Sequence, residues 1–203
     1  MKVIMLSDYS QNNMDVFNFT VINHIQYCQK YNIDFLSVMK PYSPRVDFGL
    51  IENLFERYDV VITIGTDILI TNFDKNVLDY KGNCTLTIQE ECPNGSVNGD
   101  FMIFDKNYDY QRYFDFFKRN QMFYKSFQDL INYNKKLESI LKLPVRTIQS
   151  IFPYGINAHN MKIKESLWKP GDFSVHCHRP GKAPDKNHKI EDLIYFIQTH
   201  GNK

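Results

Sequence analysis

Apolar and polar positions follow two patterns over the first 64 residues, and the two patterns alternate. Short, mostly apolar runs at 2–6, 33–39 and 60–64 are typical of strands buried on both faces. Between these runs, apolar residues recur at helical spacing over 14–31 and again over 50–58. The resulting β-α-β-α-β order predicts a parallel sheet that is covered by helices.

The remaining chain continues in the same mixed pattern without a linker. We expect strands at 84–88, 101–104, 145–149 and 173–177 and helices at 108–120, 126–141 and 190–198. The sequence SFQD at 126–129 fits a capping box, with Ser126 as the N-cap of its helix. We therefore predict a single α/β domain over residues 1–203, with a central, mostly parallel sheet flanked by helices.

Composition excludes several classes of protein. The 203 residues carry 24 Lys and Arg against 23 Asp and Glu, so the net charge of +1 gives no strong attraction to nucleic acid or to an anionic membrane. No apolar run reaches the ~18 residues of a membrane span, and the first residues, MKVIMLSDYS, do not have the pattern of a signal peptide. The four cysteines form no C-x-x-C pair. We predict a cytoplasmic protein with no membrane span and no nucleic-acid partner.

Polar residues collect at three predicted strand ends. They are Ser7, Asp8 and Tyr9 after the first strand, Gly65, Thr66 and Asp67 after the third, and the segment FSVHCHRPGK at 173–182. Because the first and third strands of a parallel sheet end at the same edge, the first two groups can converge. Asp67 stands between two apolar runs, where an aspartate can cap a turn, sit hydrogen-bonded in the core, or bind a metal.

Two histidines in the third group are spaced for a shared role. His176 and His178 are two residues apart on a predicted strand, so they lie on the same face. One imidazole and one carboxylate make a mixed site that suits Mn²⁺ or Mg²⁺, with substrate oxygens as the remaining ligands. Arg179 and Lys182 could meet phosphate, although a solvated basic loop explains them equally well.

The segment LIENLFERYDVVITIGTDILITN at 50–72 resembles the surroundings of the D-x-D motif in GT-A glycosyltransferases. It is most similar to the retaining galactosyl- and xylosyltransferase family, in which a buried strand leads into Asp-x-Asp and then an apolar stretch. Gly65 stands at the first Asp, Thr66 in the middle and Asp67 at the second. The resemblance makes Asp67 the principal metal ligand, whereas the first carboxylate of the motif is missing.

Four further segments resemble the same family in the same order along the chain. LSDYS implies that Ser7, Asp8 and Tyr9 hold the nucleotide base, and VNGDFMIF implies that Asn98, Gly99 and Asp100 lie beside the donor sugar. FQDLIN implies that Gln128 and Asp129 lie beneath the anomeric carbon. HRPGK implies that His178 completes the metal site, while Gly181 and Lys182 meet the diphosphate. In FQDLIN, Phe127 replaces the first Asp of the family pattern, whereas Asn132 matches it. The resemblance favours His178 over His176 as the metal ligand.

This resemblance implies a GT-A fold and an activity. Residues 1–75 would form the nucleotide-binding half, and residues 76–203 would complete the metal and acceptor sites. The enzyme would use Mn²⁺ or Mg²⁺ to move a hexose, or a deoxyhexose such as rhamnose, from a UDP-sugar to a glycan or glycoprotein acceptor with retention of configuration. Gln128 would stabilise the reacting centre, while Asp100 and Asp129 would hold sugar hydroxyls or orient neighbouring groups. The compact size also resembles the first domain of a multidomain glycosyltransferase with which large algal viruses glycosylate their capsid protein.

Two other functions remain open at this point. A nucleotidyltransferase also combines a strand-end aspartate with a metal and a nucleotide, although the loop SDYSQNN lacks the glycines of its usual phosphate loop. A sugar-binding module that has lost catalysis would fit the missing first carboxylate at Gly65.

Overall fold

A computed structural model describes residues 1–39, 46–90, 97–124, 127–133, 139–144, 147–151, 168–177 and 186–200. Nine strands and five α-helices lie within these ranges. The strands are β1 (Val3–Tyr9), β2 (Asp34–Met39), β3 (Val60–Ile64), β4 (Ile68–Ile70), β5 (Leu86–Glu90), β6 (Val97–Asp105), β7 (Ile140–Leu143), β8 (Ser150–Ile151) and β9 (Ser174–His176). The helices are α1 (Met14–Tyr31), α2 (Phe48–Phe55), α3 (Tyr110–Asn120), α4 (Phe127–Tyr133) and α5 (Lys186–His200). None of the helices in these ranges combines the length and apolar character needed to cross a membrane.

The main sheet has six strands in the order β2-β1-β3-β6-β5-β7. Strand β1 pairs in parallel with β2 and β3, and β7 pairs in parallel with β5, whereas β6 runs antiparallel to both of its neighbours. The sheet is therefore mostly parallel and carries helices on its faces. This confirms the predicted fold class, including the β-α-β-α-β order of the first 64 residues.

The main sheet separates two apolar layers because successive strand residues point to opposite faces. On one face, Phe104 packs against an aromatic group from α2, α3 and α4, which comprises Phe48, Phe55, Phe114, Phe117 and Phe127. On the other face, Tyr27 and Cys28 of α1 pack with residues of the same strands, such as Met5 and Ile62. Both faces are thus buried, which explains the nearly continuous apolar runs of β1 and β3.

A smaller sheet of three strands lies beside the main one, in the order β4-β9-β8. Strand β4 pairs antiparallel with β9, and Ile68 stands opposite His176. Leu193 and Phe196 of α5 pack with Val16 of α1 and Val175 of β9. This packing joins α5, the last described helix, to α1, and it places β9 next to the loop that follows β3.

The predicted helix at 126–141 is wrong at its C-terminal end. Helix α4 covers Phe127–Tyr133, but Ile140–Leu143 form strand β7, which pairs in parallel with β5. Leu141 fits the helical spacing in the sequence, yet it lies at the sheet edge opposite Thr87. Pairing with a strand more than 50 residues earlier outweighs the local periodicity. Ser126, the predicted N-cap, lies outside the described residues.

The predicted strand at 145–149 is wrong where the structure describes it, because residues 147–149 lie before β8 and only Ser150–Ile151 of the described residues 147–151 pair with β9; residues 145–146 lie outside the described residues. A buried glutamine, Gln89, takes the place of a strand neighbour. Its Oε1 accepts the backbone N–H groups of Ile148 at 2.6 Å and Gln149 at 2.9 Å, and its Nε2 donates to the carbonyl of Gln149 at 2.7 Å. Residues 148–149 therefore satisfy their backbone groups without joining a sheet.

Candidate functional site

Backbone hydrogen bonds hold the loop after β3 between two other strands. Gly65 N donates to the carbonyl of Asp100 at 2.6 Å, which ties the loop to β6. Cys177 N donates to the carbonyl of Asp67 at 2.9 Å, which ties it to the end of β9. The ends of β3 and β9 and one side of β6 thus meet around Asp67, whose residue is only 4% exposed.

His176 lies between two carboxylates in this region. Its Nε2 is 3.4 Å from Asp67 Oδ1 and 3.5 Å from Asp100 Oδ2. The imidazole is fully buried and the Asp67 side chain nearly so, whereas the Asp100 side chain is 50% exposed. The site is therefore closed on the side of β9 and open on the side of β6.

Asn98 fixes the other edge of the imidazole. Its Nδ2 lies 3.4 Å from His176 Nδ1, while its Oδ1 accepts the backbone N–H of Asp100 at 2.8 Å. The amide is almost completely buried. Both ring nitrogens of His176 thus face defined groups, so the ring has one preferred orientation.

Helix α1 fixes the backbone around Asp67 through three polar side chains on one face. Thr20 Oγ1 donates to the carbonyl of Thr66 at 2.8 Å, and His24 Nε2 lies 2.8 Å from the carbonyl of Ile68. The Asn23 side chain accepts the backbone N–H of Ile70 and donates to its carbonyl, at 2.9 Å each. We did not predict this role from the sequence. The available signal was the spacing of these residues, since positions three and four apart share a helix face.

Acid is expected to weaken the fold through His24. Burial lowers the pKa of this imidazole from 6.5 to about 4, although its hydrogen bond to the carbonyl of Ile68 opposes the change. Between these two values the unfolded chain binds a proton that the folded chain does not bind. The free energy of unfolding should therefore decrease, by up to ~1.4 kcal/mol per pH unit, as the pH falls through this window. Urea unfolding at pH values from 7 to 5 measures the slope.

The matched control is His24→Gln, because a glutamine amide can donate a hydrogen bond but does not titrate. This variant should lose the part of the slope that His24 causes. If wild type and variant lose stability equally on acidification, other groups are responsible.

The chain after β1 meets the loop after β3, although Ser7, Asp8 and Tyr9, which we predicted to follow the first strand, lie within β1. Asn13 Nδ2 donates to Thr66 Oγ1 at 3.1 Å, and Thr66 is buried. Ser7 is fully buried, whereas Asp8 and Tyr9 are half-buried, so the last two side chains are partly accessible from solvent. The Tyr9 ring stacks on Phe17, with ring centroids 4.2 Å apart.

Helix α4 lies beside the start of β6. Asn132 Oδ1 accepts the backbone N–H of Val97 at 2.9 Å, which ties this helix to the strand that carries Asn98 and Asp100. Gln128 and Asp129 are half-buried in the first turn of α4. A Cβ added at Gly99 would meet no atom within 4 Å, so the space beside this part of β6 is open.

The structure brings together only some of the predicted site residues. Asp67, Asn98, Asp100 and His176 form one cluster, and Thr66 lies beside it as part of the same loop. His178, Gly181 and Lys182 lie outside the described residues, so the choice between His178 and His176 as metal ligand stays a prediction.

Asp67 and His176 have the donor atoms and the spacing of two ligands to one cation. Two ligands at about 2.1 Å from one ion stand roughly 3.0–3.4 Å apart, and the observed distance of 3.4 Å agrees with this. Across the described parts of the chain, no three His, Cys, Asp or Glu side chains are arranged as a complete metal site. The pair therefore fits a cation that takes further ligands from a substrate or from other residues.

The comparisons with known proteins identify the fold. No protein-family model matches the sequence, and no curated protein matches it either. Among solved structures, a glycosyltransferase involved in the glycosylation of the major capsid of PBCV-1 is similar over 96% of this chain and 100% of its own, with a TM-score of 0.65 and 11% identity.

Two further structures are similar over 95% of this chain. The bifunctional glycosyltransferase WbbM has a TM-score of 0.61 at 13% identity, and the match spans 49% of its chain. A Drosophila β1,4-galactosyltransferase 7 in complex with manganese, UDP-Gal and xylobiose has a TM-score of 0.50 at 10% identity, over 79% of its chain. The chain therefore has the GT-A glycosyltransferase fold.

Proposed function

We propose that this protein is a glycosyltransferase that moves a sugar from a UDP-sugar to a glycan or glycoprotein acceptor. The observation that carries the proposal is the cluster of Asp67, His176 and Asp100 where β3, β6 and β9 meet. In α/β sheets, ligands bind beyond the carboxyl ends of the strands, and this cluster lies at such an edge. Similar structures are glycosyltransferases, one of which holds manganese and UDP-Gal.

Each group of residues would have a separate task in the donor site. Asp8 and Tyr9 at the end of β1 would contact the base, while Asn98 and Gly99 would line the space for the sugar. Asp67 and His176 would hold Mn²⁺ or Mg²⁺, and His178, Gly181 and Lys182 would add contacts to the diphosphate. A divalent cation bound there would act as a Lewis acid on the phosphates.

The transfer needs no strong base from the protein. The bond from the anomeric carbon to the diphosphate oxygen breaks, and a bond to the acceptor oxygen forms on the same face of the sugar. The acceptor hydroxyl passes its proton to the departing phosphate oxygen. Gln128 would stabilise positive charge near the anomeric carbon, and Asp129 would orient the neighbouring groups. This route retains the anomeric configuration.

UDP binding is expected to require a divalent cation, with Mn²⁺ giving at least ~10-fold higher affinity than Ca²⁺. One carboxylate and one imidazole provide too few oxygen ligands for Ca²⁺, which prefers six to eight of them. Calorimetry of UDP binding in Mn²⁺, in Ca²⁺ and in EDTA measures the difference. Equal affinity in EDTA would contradict the cation requirement.

A screen of UDP-sugars by thermal unfolding in Mn²⁺ would identify the donor, because a ligand that binds only the folded state raises its apparent stability. Release of free sugar and UDP from the best donor then tests catalysis. Binding without any hydrolysis or transfer would indicate a sugar-binding module. Conversion of the donor by added diphosphate into UTP and sugar 1-phosphate would indicate a nucleotidyltransferase.

A further inference from the structure

The small sheet turns one face toward α5 and the other toward the start of β6. Val175 of β9 packs with residues of α5, whereas the next residue, His176, lies beside Asn98 of β6. Ser150 stands opposite Val175, so these two side chains point to the α5 side. Gln149 comes directly before Ser150, and alternation along the extended chain therefore places its side chain on the same face as His176.

The side-chain amide of Gln149 has no hydrogen-bond partner among the described residues, at either its nitrogen or its oxygen. Because Gln149 is only 2% exposed, the amide gives up bulk water without gaining another partner, which costs free energy. Its backbone, in contrast, is held by Gln89, whose Oε1 accepts the Gln149 N–H at 2.9 Å and whose Nε2 donates to the Gln149 carbonyl at 2.7 Å. An unpaired amide at so buried a position indicates a ligand.

Neutral polar side chains lead from this amide toward the open side of the site. Gln89 of β5 stands opposite Asn98 of β6, and Asn98 lies against His176. The next residue of β6 is Gly99, where an added Cβ would meet no atom within 4 Å. Gln149 thus adds an unused donor and an unused acceptor to a polar region that begins beside the expected position of the donor sugar.

We propose that Gln149 binds hydroxyl groups of the donor sugar and selects donors that carry them. Neighbouring hydroxyls of a sugar ring suit the amide, because one can accept from Nε2 while the other donates to Oε1. An ionised phosphate oxygen has no proton to donate to Oε1, and a C–H group satisfies neither atom. A sugar that lacks one of these hydroxyls is rejected because the amide then stays unpaired. The inference rests on the proposed function.

Gln149→Met keeps the length of the side chain and removes both polar atoms. The probes are UDP, UDP-glucose, UDP-galactose and deoxy analogues of whichever hexose wild type binds better, measured by calorimetry in Mn²⁺. The variant should bind UDP as wild type does, but it should bind the UDP-hexose about 10- to 100-fold more weakly. In wild type, removal of a contacted hydroxyl should weaken binding by a similar factor, and in Gln149→Met this difference should disappear.

The matched control for the fold is Gln89→Met. The Gln89 amide makes three buried hydrogen bonds to the backbone at 148–149, so this replacement should lower the melting temperature by about 5 °C or more. Replacement of an unpaired amide removes no hydrogen bond. The melting temperature of Gln149→Met without ligand should therefore stay within about 2 °C of wild type or rise.

The inference is overturned if folded Gln149→Met binds the UDP-hexose as tightly as wild type does, or if it loses UDP and UDP-hexose affinity equally. It is also overturned if the melting temperature of Gln149→Met falls as far as that of Gln89→Met, since the amide would then serve the fold. Wild-type protein that binds neither UDP nor either UDP-hexose would instead contradict the proposed function, so the two failures are distinguishable.

Discussion

Replacement of Asp67 by alanine is expected to abolish Mn²⁺-dependent UDP binding and sugar transfer while the protein stays folded. We expect losses above about 100-fold, larger than the loss of a residue that only supports a metal ligand. The reason is geometric. Asp67 is the buried carboxylate at the meeting point of β3, β6 and β9, and its Oδ1 is 3.4 Å from His176 Nε2. The measurements are calorimetry of UDP binding and turnover of the donor.

The fold should survive because the contacts that hold this loop use its backbone. The backbone carbonyl of Asp67 accepts the N–H of Cys177, and side chains of α1 bind the backbone of the neighbouring residues. Alanine at position 67 therefore leaves these hydrogen bonds intact. Asp67→Asn is a second variant of the same shape that removes only the charge. Asp74→Ala is the matched control, because Asp74 is highly exposed and its ion pair with Lys30 lies at the surface.

The two aspartate variants separate a binding role from a structural one. Full UDP affinity in folded Asp67→Asn would contradict the proposal that this carboxylate binds the cation. Unfolding of Asp67→Ala together with full activity in Asp67→Asn would show that Asp67 serves the core instead.

Local patterns in the sequence predicted the first half of the fold well. The strands β1 and β3 and the helix α1 are each decided by contiguous residues, because both faces of the sheet and one face of the helix must be apolar. The edge of the sheet was harder to predict. Strand β7 exists because it pairs with β5, and nothing in the sequence around Leu141 distinguishes that pairing from one more helical turn.

Part of the candidate site could also be predicted. The rule that parallel strands end at one edge placed the loops after β1 and β3 together, and the bond from Asn13 to Thr66 agrees with it. The approach of His176 to Asp67 depends on the register of β4 with β9, two short strands more than 100 residues apart. No local pattern fixes such a register. The same holds for Gln89, whose buried amide binds the backbone at 148–149.

Replacement of His176 by alanine is expected to reduce Mn²⁺-dependent UDP affinity more than replacement of His178 does. The family resemblance favours His178, which the described structure does not include, so the expectation rests on the position of His176. Its ring is fully buried, Nε2 faces Asp67 and Asp100, and Asn98 orients the other nitrogen. An imidazole held in this way is prepared to bind a cation without a further rearrangement.

Calorimetry of UDP binding in Mn²⁺ and in EDTA for each single variant measures the two contributions. For His176→Ala, where a buried ring is removed, a melting curve must show that the protein is folded. His176→Gln is the second variant, since it fills more of the space and lacks the imidazole. Equal losses in the two positions would indicate that both histidines bind the cation. A loss confined to His178→Ala would contradict the expectation and would return the role to the residue that the resemblance favours.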